Sequence, residues 1–247
     1  MKVALLFSGQ PRFITGPQYS VIKECLLDRY DCDVFCHYWW IRDQKNEYIT
    51  SSWSGLGKYE IDANQPIDQI LENLYQPKKT SYDAPLEQNT ANVVEYNIRS
   101  MYTSMYKCYQ LYEDYSSTHN IKYDWVIRSR PDYALNVIIP FNQLSNEHIY
   151  IPDCRMVPTR DFGNDQFAFS SQDNMDKYMT TWDHVDEYYE SGVQFIGEDL
   201  MQANIRKHGL VGDKLVYVNM NNPFPPGPYN GTPHSLIRDD MELWKGL

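Results

Sequence analysis

The order in which short apolar runs alternate with helix-like stripes constrains this chain more than any other feature. Val3 to Phe7 is a five-residue apolar run that stops at Ser8-Gly9-Gln10-Pro11-Arg12, where glycine and proline impose a turn. Tyr19 to Tyr30 follows with Val21, Ile22, Cys25 and Leu26 at helical spacing, and Asp33 to Trp40 returns as a second apolar and aromatic run. Strand, helix and strand over this length fit a parallel crossover unit. Pro66 opens a short helix through Ile67, Ile70, Leu71 and Leu74. Asn92 to Thr118 carries the longest helical stripe, through Val94, Ile98, Met101, Met105, Cys108, Leu111 or Tyr112, and Tyr115.

Lys122 to Arg130 reads as a strand cut off by Pro131-Asp132. Further strands are predicted at His148 to Ile151, Asp165 to Ser170 and Leu215 to Asn219, with helices from Gln172 to Trp182 and from Gly197 to His208. The alternation predicts an α/β fold, a mixed and mainly parallel sheet flanked by helices. Residues 41–63 lack periodicity apart from a short strand over Lys58 to Ile61. Asn219 to Pro233 holds five prolines and reads as a loop, tied back by a short helix carrying Leu236, Ile237, Met241 and Trp244. A length of 247 residues suits one domain, 1–247, with halves at about 1–135 and 136–247.

Composition removes several classes. Apolar residues at 42% and charged residues at 22% exclude a disordered or collagen-like chain. No apolar stretch approaches the roughly 18 residues of a membrane-spanning helix, and Val3 to Phe7 is too short for a secretory signal. The five cysteines are odd in number and widely spaced, which fits a reducing, cytoplasmic location. A net charge of −11 repels nucleic acid, so a phosphate-bearing ligand needs a local group of arginines, a metal ion or helix N-termini. The 21 tyrosines and 6 tryptophans offer faces for stacking on sugars, and equally the material of half-buried packing shells.

In an open parallel sheet, ligands bind beyond the carboxyl ends of strands, where the strand order switches. Ser8 to Arg12 sits at such an end without the glycine spacing of a dinucleotide fingerprint or a P-loop. Gly9 there admits close backbone approach and Arg12 reaches a diphosphate or base, or the segment is a tight turn with a solvated arginine. Arg128-Ser129-Arg130-Pro131-Asp132 places two guanidiniums on one strand face ahead of a carboxylate. That pentad serves either diphosphate binding, with a divalent cation on Asp132, or a structural salt-bridge cluster. Asn164-Asp165-Gln166 lies at a strand start and contributes Asp165 as a further candidate acid. Glu198 and Asp199 fall in a helix's first turn, as a general base or as ordinary dipole compensation. Cys32, Cys36 and His37 lie inside an apolar strand and read as core.

Three segments together resemble small GT-A-type glycosyltransferase-like proteins of viruses and marine microbes. They are Val3-Ala4-Leu5-Leu6-Phe7-Ser8-Gly9-Gln10-Pro11-Arg12, Asp33-Val34-Phe35-Cys36-His37-Tyr38-Trp39, and Tyr123-Asp124-Trp125-Val126-Ile127-Arg128-Ser129-Arg130-Pro131-Asp132. Asp165 to Ser170 stands where such proteins place an acceptor-side strand. The resemblance implies a GT-A (Rossmann-like) fold and transfer of a sugar from a nucleoside-diphosphate sugar to an acceptor hydroxyl, on a glycan or another molecule. It implies donor binding by Ser8, Gly9, Gln10, Arg12, Arg128 and Arg130. It further implies Mn²⁺ or Mg²⁺ on Asp132 and His234, and a catalytic base for which Asp199 is the better match, with Glu198 next to it. The Asp-x-Asp motif of that fold is reduced here to Arg130-Pro131-Asp132, with only its last acid present. Two rivals stand beside this expectation: a non-catalytic glycan-binding or assembly protein on a degenerate scaffold, and a phosphotransferase or nucleotidyltransferase using the same rim.

Overall fold

Seven strands share one sheet in the computed structural model, which describes residues 1–12, 17–41, 46–49, 58–61, 65–87, 92–153, 163–218 and 234–236. The chain order begins β1 (Lys2–Gly9), α1 (Pro17–Ile22, continued by a π-helical turn over Lys23–Leu27), β2 (Asp31–Trp39), β3 (Asn46–Ile49) and β4 (Lys58–Ile61). It continues α2 (Ile67–Tyr75), β5 (Lys79–Asp83), α3 (Val93–His119), β6 (Trp125–Ser129), β7 (Tyr133–Leu135), β8 (Ile149–Pro152) and β9 (Phe167–Ser170). It ends α4 (Gln172–Met179), α5 (Val185–Glu190), α6 (Gly197–Lys207), β10 (Leu215–Val218) and β11 (His234–Leu236). The sheet runs β10-β8-β9-β6-β1-β2-β5. Its neighbours pair in parallel, except that β9 is antiparallel to both β6 and β8. Strands from both halves of the chain therefore belong to one mixed, mainly parallel sheet.

The central strand is apolar throughout because both of its faces are covered. Val3, Leu5 and Phe7 of β1 pack with Ile22 of α1 and Ile67 and Leu71 of α2. Ala4 and Leu6 point the other way, into a cluster with Ile98, Tyr102, Met105 and Cys108 of α3 and Met175 and Tyr178 of α4. The α3 helix starts where Asn92 Oδ1 accepts the Val94 and Glu95 amides at 3.0 and 3.3 Å, and it stops at Asn120 in the left-handed region. Its buried stripe begins at Ile98, whereas Val93 and Val94 are exposed.

The tyrosine excess is largely core. Tyr38, Tyr102, Tyr112, Tyr123, Tyr133 and Tyr178 are fully buried. Several use the hydroxyl to hold neighbouring chain, as Tyr123 does by donating to Asp33 Oδ2 at 2.8 Å. Such a side chain supplies apolar area and one directed hydrogen bond together.

Three features depart from the sequence expectations. Lys79–Asp83 forms β5, an edge strand of half-buried residues whose Lys-Thr-Ser-Tyr-Asp composition shows no apolar alternation. Leu236 belongs to β11, paired antiparallel with Tyr133 of β7, and not to a helix. Asp165 and Gln166 precede β9 instead of opening it. The 219–233 loop, Cys154, and Ile237, Met241 and Trp244 lie outside the described residues.

Phe35 of β2 is fully buried and meets Tyr112, Tyr115 and Tyr123 edge-on, with ring centroids 5.6, 5.5 and 6.2 Å away. Phe35→Ala is expected to lower unfolding free energy by about 3–5 kcal/mol in urea titrations. A loss below about 1 kcal/mol would show that these rings do not act as one packed unit.

Candidate active site

The chain builds outward from β1 through β2 to β5, then α3 carries it back and β6 enters on the other side of β1. A reversal of that kind leaves a crevice at the carboxyl ends of the two diverging strands. Phe7 pairs with Ser129, so the turn after β1 and the turn after β6 leave the sheet side by side. The third segment joins them because β9 is antiparallel: Ser129 pairs with Phe167, which brings Asp165 and Gln166 to the same rim. The Arg130 amide donates to the Gln166 carbonyl at 3.0 Å and fixes this junction.

A cleft of about 230 Å³ opens there, lined by Ser8, Gly9, Gln10 and Arg12, by Arg130, Pro131 and Asp132, and by Asp165, Gln166, Gly197 and Glu198. Gly9 has φ +126°, a conformation side chains resist, which lets the chain turn sharply at the cleft floor. The buried Ser8 Oγ has no hydrogen-bond partner among the described residues. Trp39 of β2 is the aromatic side chain among the described lining residues. Its indole donates to the Ser100 carbonyl at 3.2 Å, and the fully buried His37 meets its ring edge-on at 4.7 Å. His37 in turn bridges Ser104 Oγ at 2.7 Å and Asp83 Oδ2 at 3.1 Å, and burial pushes its pKa down to about 4, so it is neutral at pH 7.

One wall is cationic. Asp132 is almost fully buried, and Arg130 grips it with a two-pronged fork, Nε to Oδ1 and Nη2 to Oδ2, both at 2.9 Å. Arg12 Nη1 reaches the same Oδ2 at 3.5 Å, while its Nη2 donates to Gln10 Oε1. Arg128 does not share this wall. Its strand position faces α3 and α4, where it is fully buried under the cleft, and burial pushes its pKa down. Its Nη1 donates to the Asp165 carbonyl, and Nε and Nη2 have no hydrogen-bond partner among the described residues. The expectation of two guanidiniums on one face fails because Arg130 lies beyond the last β6 residue, Ser129, where strand alternation ends.

A second group of lining residues is acidic and held by hydrogen bonds to the chain. Asn164 Oδ1 accepts the Gln166 and Phe167 amides at 2.8 and 2.9 Å, while Tyr178 donates to the Asn164 carbonyl at 2.6 Å. These bonds curl the chain around Asp165. Gly197 has no side chain for a specific reason: a Cβ there would fall 2.6 Å from Asp165 Oδ2. The Tyr102 hydroxyl donates to the Gly197 carbonyl at 2.5 Å and pins the start of α6. Glu198, in that first turn, has its pKa pushed up to about 7 by burial and by Asp165 and Asp199, against a hydrogen bond from its own amide and the charge of Arg130. Asp199 is not among the residues lining the cleft. The first turns of α3 and α6 both border the cleft and add positive dipole character.

A divalent ion does not fit the described residues. Both oxygens of Asp132 accept guanidinium N–H groups, so an approaching cation would meet two positive charges. No group of three or more His, Cys, Asp or Glu side chains among the described residues is placed to hold a metal. The side chain of His234 lies outside the described residues; its backbone pairs with Leu135, three positions along the chain from Asp132. No helix among the described residues is long and apolar enough to cross a membrane.

No protein-family model matches this sequence, and no curated protein is significantly similar to it. The solved structures that resemble it include two glycosyltransferases. One is a glycosyltransferase involved in the glycosylation of the major capsid of PBCV-1, at 9% identity and a TM-score of 0.43 over 88% of this chain and 81% of that one. The other is the apo form of glycosyltransferase GlyE from Streptococcus pneumoniae TIGR4, at 11% identity and a TM-score of 0.41 over 89% of this chain. The chain spans 45% of the length of GlyE. At this level of likeness neither structure assigns a role to any residue of the cleft.

The raised Glu198 carboxyl couples folding to pH. Above the ordinary carboxyl value of 4.5 the unfolded chain releases this proton, whereas the folded chain keeps it until about 7. The Glu198 contribution to stability therefore falls as pH rises from about 4.5 to 7 and levels off above, while His37, pushed down to about 4, contributes the opposite slope up to its ordinary 6.5. Asp176, also pushed up to about 7 by burial, adds a parallel decline. Urea unfolding across that range is expected to give a shallower fall for Glu198→Gln than for the parent; identical slopes would show that Glu198 titrates normally.

Proposed function

We propose that this chain is a glycosyltransferase that moves a sugar from a nucleoside-diphosphate sugar to an acceptor hydroxyl. The observation that carries the reading is one cleft lined both by Arg12 and Arg130 and by Glu198, whose pKa is pushed up to about 7. The donor's diphosphate lies against the guanidiniums and the buried Ser8 Oγ, with Gly9 allowing backbone approach. The acceptor hydroxyl attacks the anomeric carbon, the bond from that carbon to the diphosphate oxygen breaks, and its electron pair leaves with the diphosphate. Glu198 takes the acceptor proton. A carboxyl near pH 7 suits this task because it is ionised in a large fraction of molecules and still basic enough to hold the proton.

Asp165 serves as the neighbouring charge that, with burial, raises Glu198, and Asp199 acts on it from within the same turn. Arg128 supports the Asp165 backbone from below. Positive charge preorganised where the leaving diphosphate gains negative charge is the largest rate contribution available here. Trp39 offers a ring against which a sugar or base can pack.

Incubation with a panel of UDP- and GDP-sugars is expected to release nucleoside diphosphate, with the rate rising with pH through about 7. Glu198→Gln is expected to lower kcat by about 100-fold or more and to remove that pH dependence. Calorimetry separates the rivals: glycan binding without nucleotide binding supports the non-catalytic reading. Nucleoside triphosphate binding with release of pyrophosphate or phosphate supports the phosphotransferase or nucleotidyltransferase reading.

A further inference from the structure

Asp132 sits where the Asp-x-Asp resemblance calls for a metal ligand, yet its surroundings are those of a counter-ion. Its side chain is 3% exposed, against 10% for Arg12 and 20% for Arg130. The carboxylate is thus the inner member of the group and the guanidiniums lie on its outer side, toward the cleft they line. A carboxylate offers about four acceptor positions, and three guanidinium N–H donors already occupy it, two at 2.9 Å and one at 3.5 Å. Arg130 is bound in a planar fork, which fixes the orientation of the whole guanidinium and leaves its remaining N–H groups directed elsewhere. Among the described residues, the two guanidiniums and one carboxylate of this group carry one net positive charge.

We infer that Asp132 is a positioning residue that holds Arg12 and Arg130 as a paired anion receptor, and that this receptor binds the donor's diphosphate without a divalent cation. The assignment rests on the proposed transferase reading. The positive charge that a metal would supply at the leaving group comes from the two guanidiniums. Guanidinium forks match phosphate oxygens in geometry and remain charged at every working pH. Bringing a cation to Asp132 would require both arginines to withdraw from a nearly buried carboxylate.

The test uses UDP and GDP as probes, with calorimetric titrations in EDTA and in Mn²⁺, and electron paramagnetic resonance of Mn²⁺ in the presence of each nucleotide. The full chain and the Asp132→Asn variant are compared, with thermal melting to establish that the variant is folded. The expected result is nucleotide binding in EDTA that matches binding in Mn²⁺ within about threefold. Asp132→Asn is expected to weaken binding about tenfold in both conditions, because the arginines lose the charge that orients them. Binding that requires Mn²⁺, or a protein-bound Mn²⁺ signal lost in Asp132→Asn, overturns this assignment and leaves the transferase reading standing. Failure of both nucleotides to bind in either condition overturns both. The comparison of EDTA with Mn²⁺ needs no variant, so it decides the question even if Asp132→Asn does not fold.

Discussion

The parallel pairing of β1 with β6 is the constraint from which the site follows. Both strands are buried on two faces, and their register sets Phe7 opposite Ser129. Because they run the same way, their two exit turns leave at one edge. Because they lie at the point where strand order reverses, the covering helices diverge above that edge. Gly9 and Pro131 then end the strands abruptly, and the polar residues beyond them line one cleft.

Charge in that cleft is organised against the trend of the molecule. A chain of net charge −11 concentrates guanidiniums on one wall, and the almost fully buried Asp132 carboxylate compensates their desolvation. The same cleft holds Glu198, where burial and the Asp165 charge hold the proton up to about pH 7, beside two helix N-termini. An anion and a proton acceptor can then be handled in one small volume without cancelling each other. That arrangement depends on rigid backbone, and here tyrosine hydroxyls supply the ties: Tyr102 to Gly197 and Tyr178 to Asn164. The long α3 helix therefore serves the core and the site at once, burying Tyr102 against β1 while lining the cleft with Ile98 and Met101.

Much of this was legible in the chain. Continuous apolar runs at Val3 to Phe7 and Asp33 to Trp40 announce strands covered on both faces, and the stripe of α3 announces the helix that covers them. The two exit turns were visible as Gly-Gln-Pro and Arg-Pro-Asp punctuation. β5 was not visible, because an edge strand needs pairing partners more than apolar residues. The place of Asp165 was not visible either, since strand direction leaves no trace in local composition. Trp39 stood only within an apolar and aromatic run, Asn164 at a strand start and Gly197 at a helix start, and each gained its role in the site from neighbours distant in the chain.

Sequence by itself determined the fold class, the strands that form the centre and the turns that leave it, because local sterics and hydrophobic periodicity act over a few residues. Tertiary structure alone decided which charges meet. Arg128 and Arg130 are two residues apart, yet one lies beneath the sheet's helical cover and the other at the mouth of the cleft. Asp132 is enclosed by an arginine 120 residues before it, and Glu198 owes its raised pKa in part to an acid brought in by an antiparallel strand. Electrostatic environment is set by distance and burial in three dimensions, and neither is encoded in the spacing of the residues that feel it.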